Sequence, residues 1–243
     1  MFTFRDIRKK SLKPICTFGE RIYDPIAIPF VWFLANFTFI NPYMVNFINF
    51  LSSILSGYFF FKGNITAGAL LFALASLADF SDGKLARLKF KPSLLGMFTD
   101  LNGDKIRVLF PLIGLTAAYF NATNDISIFY WALIFLYTNL FFPFAEAYMY
   151  YQSMRRGLTD RHMMGSSLDS RKISKIRAFL QKRRVDLMYT TADQEQLIFL
   201  LFPLLSHLNF EFIKYGYILA TVTYIVWMLL VRYPRQVRRI VSA

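Results

Sequence analysis

Cysteine and histidine are nearly missing from this chain: Cys16 is its one thiol, and His162 and His207 are its two imidazoles. A single cysteine permits neither an intrachain disulfide nor a cysteine-built metal centre. Two histidines so distant in sequence argue against a histidine metal cluster. Internal repeats and low-complexity tracts are absent as well. The N-terminal stretch MFTFRDIRKKSLKP has no immediate apolar run and no cleavage site, so a removed signal peptide is not expected. Acidic residues are few, 15 against 28 Lys and Arg, leaving a net charge of +13.

What is abundant is apolar surface. Of the 243 residues 56% are apolar and 19% aromatic, more than a soluble domain of this size carries. A nucleic-acid binder would also be basic, but its cations would decorate a soluble core. Here the apolar residues come in membrane-length runs, so nucleic acid is not an expected partner. A transmembrane helix needs about 20 mostly apolar residues. Six stretches qualify: 43–61, 66–88, 94–120, 126–151, 196–208 with its flanks, and 212–231. A further stretch, 25–40, is broken by Pro25 and Pro29 and stops at Asn41-Pro42. It reads as part of an N-terminal interfacial amphipathic helix. The expected fold class is therefore an all-α integral membrane protein of six transmembrane helices, in contact with membrane lipids. Its parts are an N-terminal interfacial segment (1–41), a six-helix domain (42–232) and a basic tail (233–243).

The charges support this layout. With six spans, every Lys and Arg except Lys62 and Lys214 falls on one side or at its boundary. The positive-inside rule makes that side cytoplasmic and places both termini there. The long polar connection 152–195 includes Ile173, Ile176, Phe179 and Leu180 at helical spacing among basic residues. It is read as an amphipathic cytoplasmic helix on anionic headgroups.

Against this apolar background, four aspartates stand out. Ionisable groups inside membrane helices are costly and mark function. Asp79, Asp82, Gly83 and Ala86 share one helical face near the end of the second span; Gly96, Asp100, Asp104 and Arg107 share one on the third. Consecutive antiparallel spans let those faces meet near the cytoplasmic surface. Four facing carboxylates repel unless protonated or neutralised by cations. Oxygen-only donors select hard ions such as Mg²⁺, Mn²⁺ or Ca²⁺, and two divalent ions balance four carboxylates. Paired metals are a recurrent solution for chemistry at phosphorus. Lys84, Arg87 and Lys105 flank the site and are placed to neutralise a diphosphate. A cation transporter also puts carboxylates between helices, but it would need polar groups along a continuous path, which these spans lack.

The run Asp79-Phe-Ser-Asp82-Gly83-Lys-Leu-Ala86-Arg87, followed after eight residues by Gly96-Met-Phe-Thr-Asp100-Leu-Asn-Gly-Asp104, resembles the CDP-alcohol phosphatidyltransferase signature D-x2-D-G-x2-A-R-x8-G-x3-D-x3-D at all eight fixed positions. The resemblance implies metal-dependent transfer of a substituted phosphate from a CDP-alcohol, CDP-diacylglycerol foremost, to an acceptor alcohol, with CMP released. By position it implies that Asp79, Asp82, Asp100 and Asp104 hold two divalent cations, Mg²⁺ or Mn²⁺, and that Asp104 is the catalytic base. Asp79, Asp82, Gly83, Ala86 and Arg87 would meet the nucleotide, and Gly96 would keep the helix crossing tight. It further implies a homodimer with its site at the cytoplasmic face; the compact size suggests a prokaryotic inner membrane. A soluble donor such as CDP-inositol is the alternative. The family's Pro-Asn-x-x-Thr element reads Pro42-Tyr-Met-Val-Asn46 here, so its polar positions differ. After Asp100 the chain reads Leu-Asn-Gly-Asp104-Lys, unlike the Asp-Pro-x-Ala-Asp-Lys run of glycerol-phosphate-using members, which tilts the acceptor toward inositol (phosphate) or another polyol. Arg155, Arg156, Arg161 and Lys105 are candidates for an acceptor phosphate.

Overall fold

The computed structural model describes residues 2–12, 18–37, 39–89, 94–155, 189–234 and 237. Among them the structure is all helical, with no strand. The order is α1 (Phe4–Ser11), α2 (Phe18–Phe37), α3 (Pro42–Phe61), α4 (Ile65–Lys89), α5 (Leu94–Thr123), α6 (Ser127–Arg155), α7 (Thr191–Gln196), a π-helical turn (Leu197–Leu201), α8 (Phe202–Leu205) and α9 (Phe212–Trp227), which runs on into a second π-helical turn (Met228–Arg232).

Among the described residues five helices are long and apolar enough to cross a membrane: Pro42–Phe61, Ile65–Lys89, Gly103–Thr123, Ser127–Met149 and Phe212–Arg232. The stretch expected as a fifth of six spans is helical from Thr191 to Leu205 but is not among them. Its first turn, Thr-Ala-Asp-Gln-Glu-Gln, is polar, and its apolar part is interrupted by Pro203 and followed by Ser206-His207. Large apolar side chains such as Phe39, Tyr130, Leu133, Phe144 and Leu230 lie on the outside. Long apolar helices with an apolar exterior are the build of an integral membrane protein.

Local sequence explains where the helices start. Thr3 and Asp6 form a reciprocal capping box at α1, and Thr190 and Asp193 form another at α7. Asn41 caps α3 by accepting from the Met44 N–H at 2.9 Å, with Pro42 in the first turn, where its missing N–H costs nothing. The α3–α4 turn closes at Gly63, whose φ of +78° suits a residue without Cβ. The stretch expected to be broken by Pro25 and Pro29 is instead one continuous helix, α2, held by burial of Ile28, Val31, Leu34 and Ala35 against Ala78, Leu85 and Leu88 of α4. Proline weakens a helix locally, and packing along its whole length overrides that cost. Asn36 and Trp32 of α2 bond the Phe2 carbonyl, which ties α1 to the same layer.

Helices α3, α4 and α5 form the central layer. Gly57 on α3 and Gly114 on α5 let two backbones meet: a methyl group at Gly57 would strike the Phe110 carbonyl, and one at Gly114 would strike the Gly57 carbonyl. Ser52, Ser53 and Ser56 continue this small-residue face, and the Ser56 hydroxyl donates to the Gly68 carbonyl of α4 at 2.7 Å. The main apolar core, including Phe72, Leu115, Tyr119, Phe135, Phe199 and Tyr217, joins α4, α5, α6, the first π turn and α9. At the end of the bundle near the α5–α6 turn, Lys214 pairs with Asp125 at 2.7 Å and pulls its carboxyl down to about 2.

Candidate active site

Asp79 and Asp82 lie one turn apart on α4; Asp82 is buried and the Asp79 carboxylate largely so. Asp104 comes from α5. The Nη2 atom of Arg107 lies 3.8 Å from Asp79 Oδ2 and 3.8 Å from Asp104 Oδ1. The two acidic faces foreseen in the sequence therefore meet, facing each other across one guanidinium. Asp100 sits on α5 one turn before Asp104, and Gly96 one turn earlier still; nothing of their side chains falls within the described residues. Arg156 and Arg161 lie outside the described residues altogether, as does the basic stretch around Ile173–Leu180. Arg155 ends α6 and is exposed.

The flanking cations have distinct partners. Lys84 is buried, 3.3 Å from Asp24 of α2, and donates to the Phe80 carbonyl at 2.9 Å. The Nε of Arg87 donates to the Ser11 carbonyl at 2.9 Å, joining the signature helix to the end of α1. Lys105 turns to α6, where its ammonium donates to both the main-chain and side-chain oxygens of Asn139 at 2.9 Å. A Cβ built on Gly83 would meet nothing but the end of the Arg87 side chain, at 3.4 Å from Nη1, so its face stays clear of the rest of the described fold. Ala86 lies one turn beyond Asp82 on the same helix.

Several polar residues around the carboxylates were not singled out in the sequence. Asn49 of α3 donates to Asp79 Oδ1 at 3.2 Å. One turn before it, Asn46, already noted in the Pro42–Asn46 element, lies against Gly103, its Oδ1 3.1 Å from where a Cβ of that glycine would be. For Asn49 the available signal was its place one turn after Asn46 in an apolar span. Glu195 of α7, 2% exposed, bonds Arg107 Nη2 at 2.7 Å and accepts from Asn139 Nδ2 at 2.9 Å. Gln196 donates to Ser76 at 2.9 Å and accepts from the Tyr23 hydroxyl at 2.7 Å. These contacts draw α2, α3, α4, α5, α6 and α7 onto one polar centre. No spacing rule in the sequence links α7 to the aspartates.

The donor set suits a hard divalent cation. Carboxylates converge from two helices with no soft ligand among them, and Asp104 Oδ1 is buried without a hydrogen-bond partner. Among the described residues no three His, Cys, Asp or Glu form a ready-made metal cluster, and the Asp100 side chain is not one of those residues.

An α-helical membrane fold with paired aspartates on consecutive helices defines a class, and comparison with known proteins agrees. Residues 39–231 match the CDP-alcohol phosphatidyltransferase family, and the chain belongs to that family of phosphotransferases. Among curated proteins it is similar to the archaetidylinositol phosphate synthase of Methanothermobacter thermautotrophicus, 28% identical over 117 residues, which is 48% of this chain and 50% of that one. The matched region thus spans about half the length of that relative. Among solved structures it is similar to the phosphatidylinositol phosphate synthase PgsA1 of Mycobacterium tuberculosis, crystallised with CDP-DAG bound. That match has a TM-score of 0.54 and 19% identity and covers 90% of this chain and 92% of that one. At this identity the likeness is one of fold.

Proposed function

We propose that this chain transfers a substituted phosphate group from CDP-diacylglycerol to an inositol phosphate or related polyol, releasing CMP. The observation that carries the reading is the meeting of Asp79 and Asp104 from α4 and α5 around one buried polar centre, within a complete family signature. The donor and acceptor are supported by the two similar proteins, one an archaetidylinositol phosphate synthase and the other solved with CDP-DAG.

In this reading Asp79, Asp82, Asp100 and Asp104 hold two divalent cations, Mg²⁺ or Mn²⁺. Held there, such ions would supply positive charge against the donor diphosphate and the departing CMP. Asp104, through its unpartnered Oδ1, accepts the proton of the acceptor hydroxyl. The hydroxyl oxygen forms the new ester bond to the phosphorus that carries the diacylglycerol, and the bond from that phosphorus to the bridging oxygen breaks. The electron pair leaves with CMP. Gly83, Ala86 and Arg87 face the nucleotide, Gly83 by permitting close approach. Arg155, Arg156, Arg161 and Lys105 are assigned to an acceptor phosphate, although Lys105 would have to give up its bonds to Asn139 to reach it.

The reading includes six spans, both termini and the active site at the cytoplasmic face of a prokaryotic inner membrane, an interfacial segment at 1–41, a basic tail at 233–243, and a homodimer. The charge distribution supports it: Lys62 and Lys214 are the two basic residues assigned to the far side. The test is CMP release by purified protein across a matrix of donors (CDP-diacylglycerol, CDP-inositol) and acceptors (inositol phosphate, inositol, serine, glycerol phosphate), with product masses. Release with CDP-diacylglycerol and inositol phosphate, abolished by EDTA, is expected. Release with CDP-inositol alone would move the assignment to a soluble donor. No release from any pair, together with cation flux across vesicles, would replace the enzyme by a transporter.

A further inference from the structure

We propose that Glu195, which lies outside the aspartate signature, is the positioning residue that keeps the metal-binding carboxylates open by restraining Arg107. This rests on the metal-dependent reading above. Arg107 is 2% exposed, and its Nη2 faces both Asp79 and Asp104, two of the proposed metal ligands. Left to itself, a buried guanidinium beside two carboxylates would close onto them as a bidentate partner. It would then occupy the oxygens that a cation needs. The distances show that it does not close. Its Nη2 makes its short contact, 2.7 Å, with Glu195 Oε2 and stays 3.8 Å from each aspartate. Asp104 Oδ1 consequently has no hydrogen bond, although it is buried.

Glu195 can hold this position because it is itself fixed. Its other oxygen accepts from Asn139 Nδ2 at 2.9 Å, and the Asn139 oxygens accept from Lys105. Glu195 therefore has a directed partner on each oxygen, from α5 and α6, and is almost wholly buried. The opposite side of the guanidinium is braced more weakly: Nη1 lies 3.4 Å from Ser76 Oγ, and Ser76 is held by Gln196, the residue after Glu195. The arrangement places one negative charge behind one positive charge. The pair adds no net charge to the site, so the aspartates retain their attraction for divalent ions. Neutralising Glu195 alone would remove the restraint and the charge balance together, leaving an unpaired cation to compete for Asp79 and Asp104.

The proposal makes a reversible prediction, readable without turnover. Mn²⁺ binding to purified protein in detergent is measured by electron paramagnetic resonance of the free ion, in the absence of substrate. Glu195→Gln is expected to weaken Mn²⁺ binding by about tenfold or more, the scale typical for groups that orient metal ligands. The charge-neutral double variant Arg107→Gln/Glu195→Gln is expected to return to within about threefold of the parent, because the competing cation has gone with its restraint. A purely structural role predicts the opposite order, with the double variant bound as weakly as the single or more so, and that order would overturn the proposal. It is also overturned by a folded Glu195→Gln protein that binds Mn²⁺ as tightly as the parent. Should the single variant fail to elute as folded protein, the double variant decides alone: tenfold weaker binding counts against the proposal and near-parent binding for it. A parent protein that binds no Mn²⁺ removes the metal reading itself, which separates that failure from failure of the Glu195 assignment.

Discussion

Gly83→Ala should make the protein slightly more stable and much less active. Gly83 lies inside α4, where glycine costs roughly 0.5–1 kcal/mol relative to alanine. The added methyl would meet only Arg87 Nη1, at 3.4 Å, the far end of a side chain able to shift by a few tenths of an ångström. The folded protein thus has little to lose and a helical preference to gain, and the thermal midpoint in detergent should stay level or rise by a few degrees. The CDP-linked donor faces the same methyl in the proposed nucleotide site. Overfilling a close-packed contact costs about 1–3 kcal/mol, or roughly 5- to 150-fold in affinity. The assay is CMP release against donor concentration beside a melting curve on the same sample. A KM for the donor raised at least fivefold with an unchanged or higher Tm is the expected pair of results. An unchanged KM would refute the placement of the nucleotide against Gly83, whereas a large drop in Tm would refute the packing description.

Asp104→Asn should fold and bind donor but lose about 10²- to 10⁴-fold in kcat, the contribution typical of a positioned general base; turnover within threefold of the parent would remove it from that role. Gly114→Ala should lower stability by about 1–3 kcal/mol through its collision with the Gly57 carbonyl, read as a lower Tm for the purified protein. Asn49→Ala should raise the Mn²⁺ concentration needed for half-maximal activity, because Asp79 Oδ1 loses the amide that orients it at 3.2 Å. Asp125 contributes to stability above its usual range near 3.8 because Lys214 lowers its folded value to about 2; that contribution is lost as pH falls through this window. Melts between pH 5 and pH 2 should therefore flatten in Asp125→Asn.

Much of the site was readable because it is encoded locally. Asp79 and Asp104 lie on consecutive helices, α4 and α5, at positions that helical spacing puts on facing sides, and these two meet around Arg107. Antiparallel neighbours joined by a short connection have little choice but to bring such faces together. The helix caps at Asn41 and Thr190 and the left-handed turn at Gly63 are likewise local signals. Span counting succeeded where a run was long and uniformly apolar. It met its limit at Thr191–Leu205, where polar and apolar turns share one short helical run.

Composition and spacing by themselves determined that this chain is a helical membrane protein and where its acidic centre lies, because hydrophobic length and helical period are properties of neighbouring residues. Tertiary structure alone decided what surrounds that centre. Glu195 is distant in sequence from Arg107, and Asn139 and Tyr23 approach from helices of their own. It also decided that α2 runs unbroken through two prolines, since the face it packs on belongs to α4. A buried charge takes whichever partner packing delivers. That choice depends on how whole helices cross, and no window along the chain contains it.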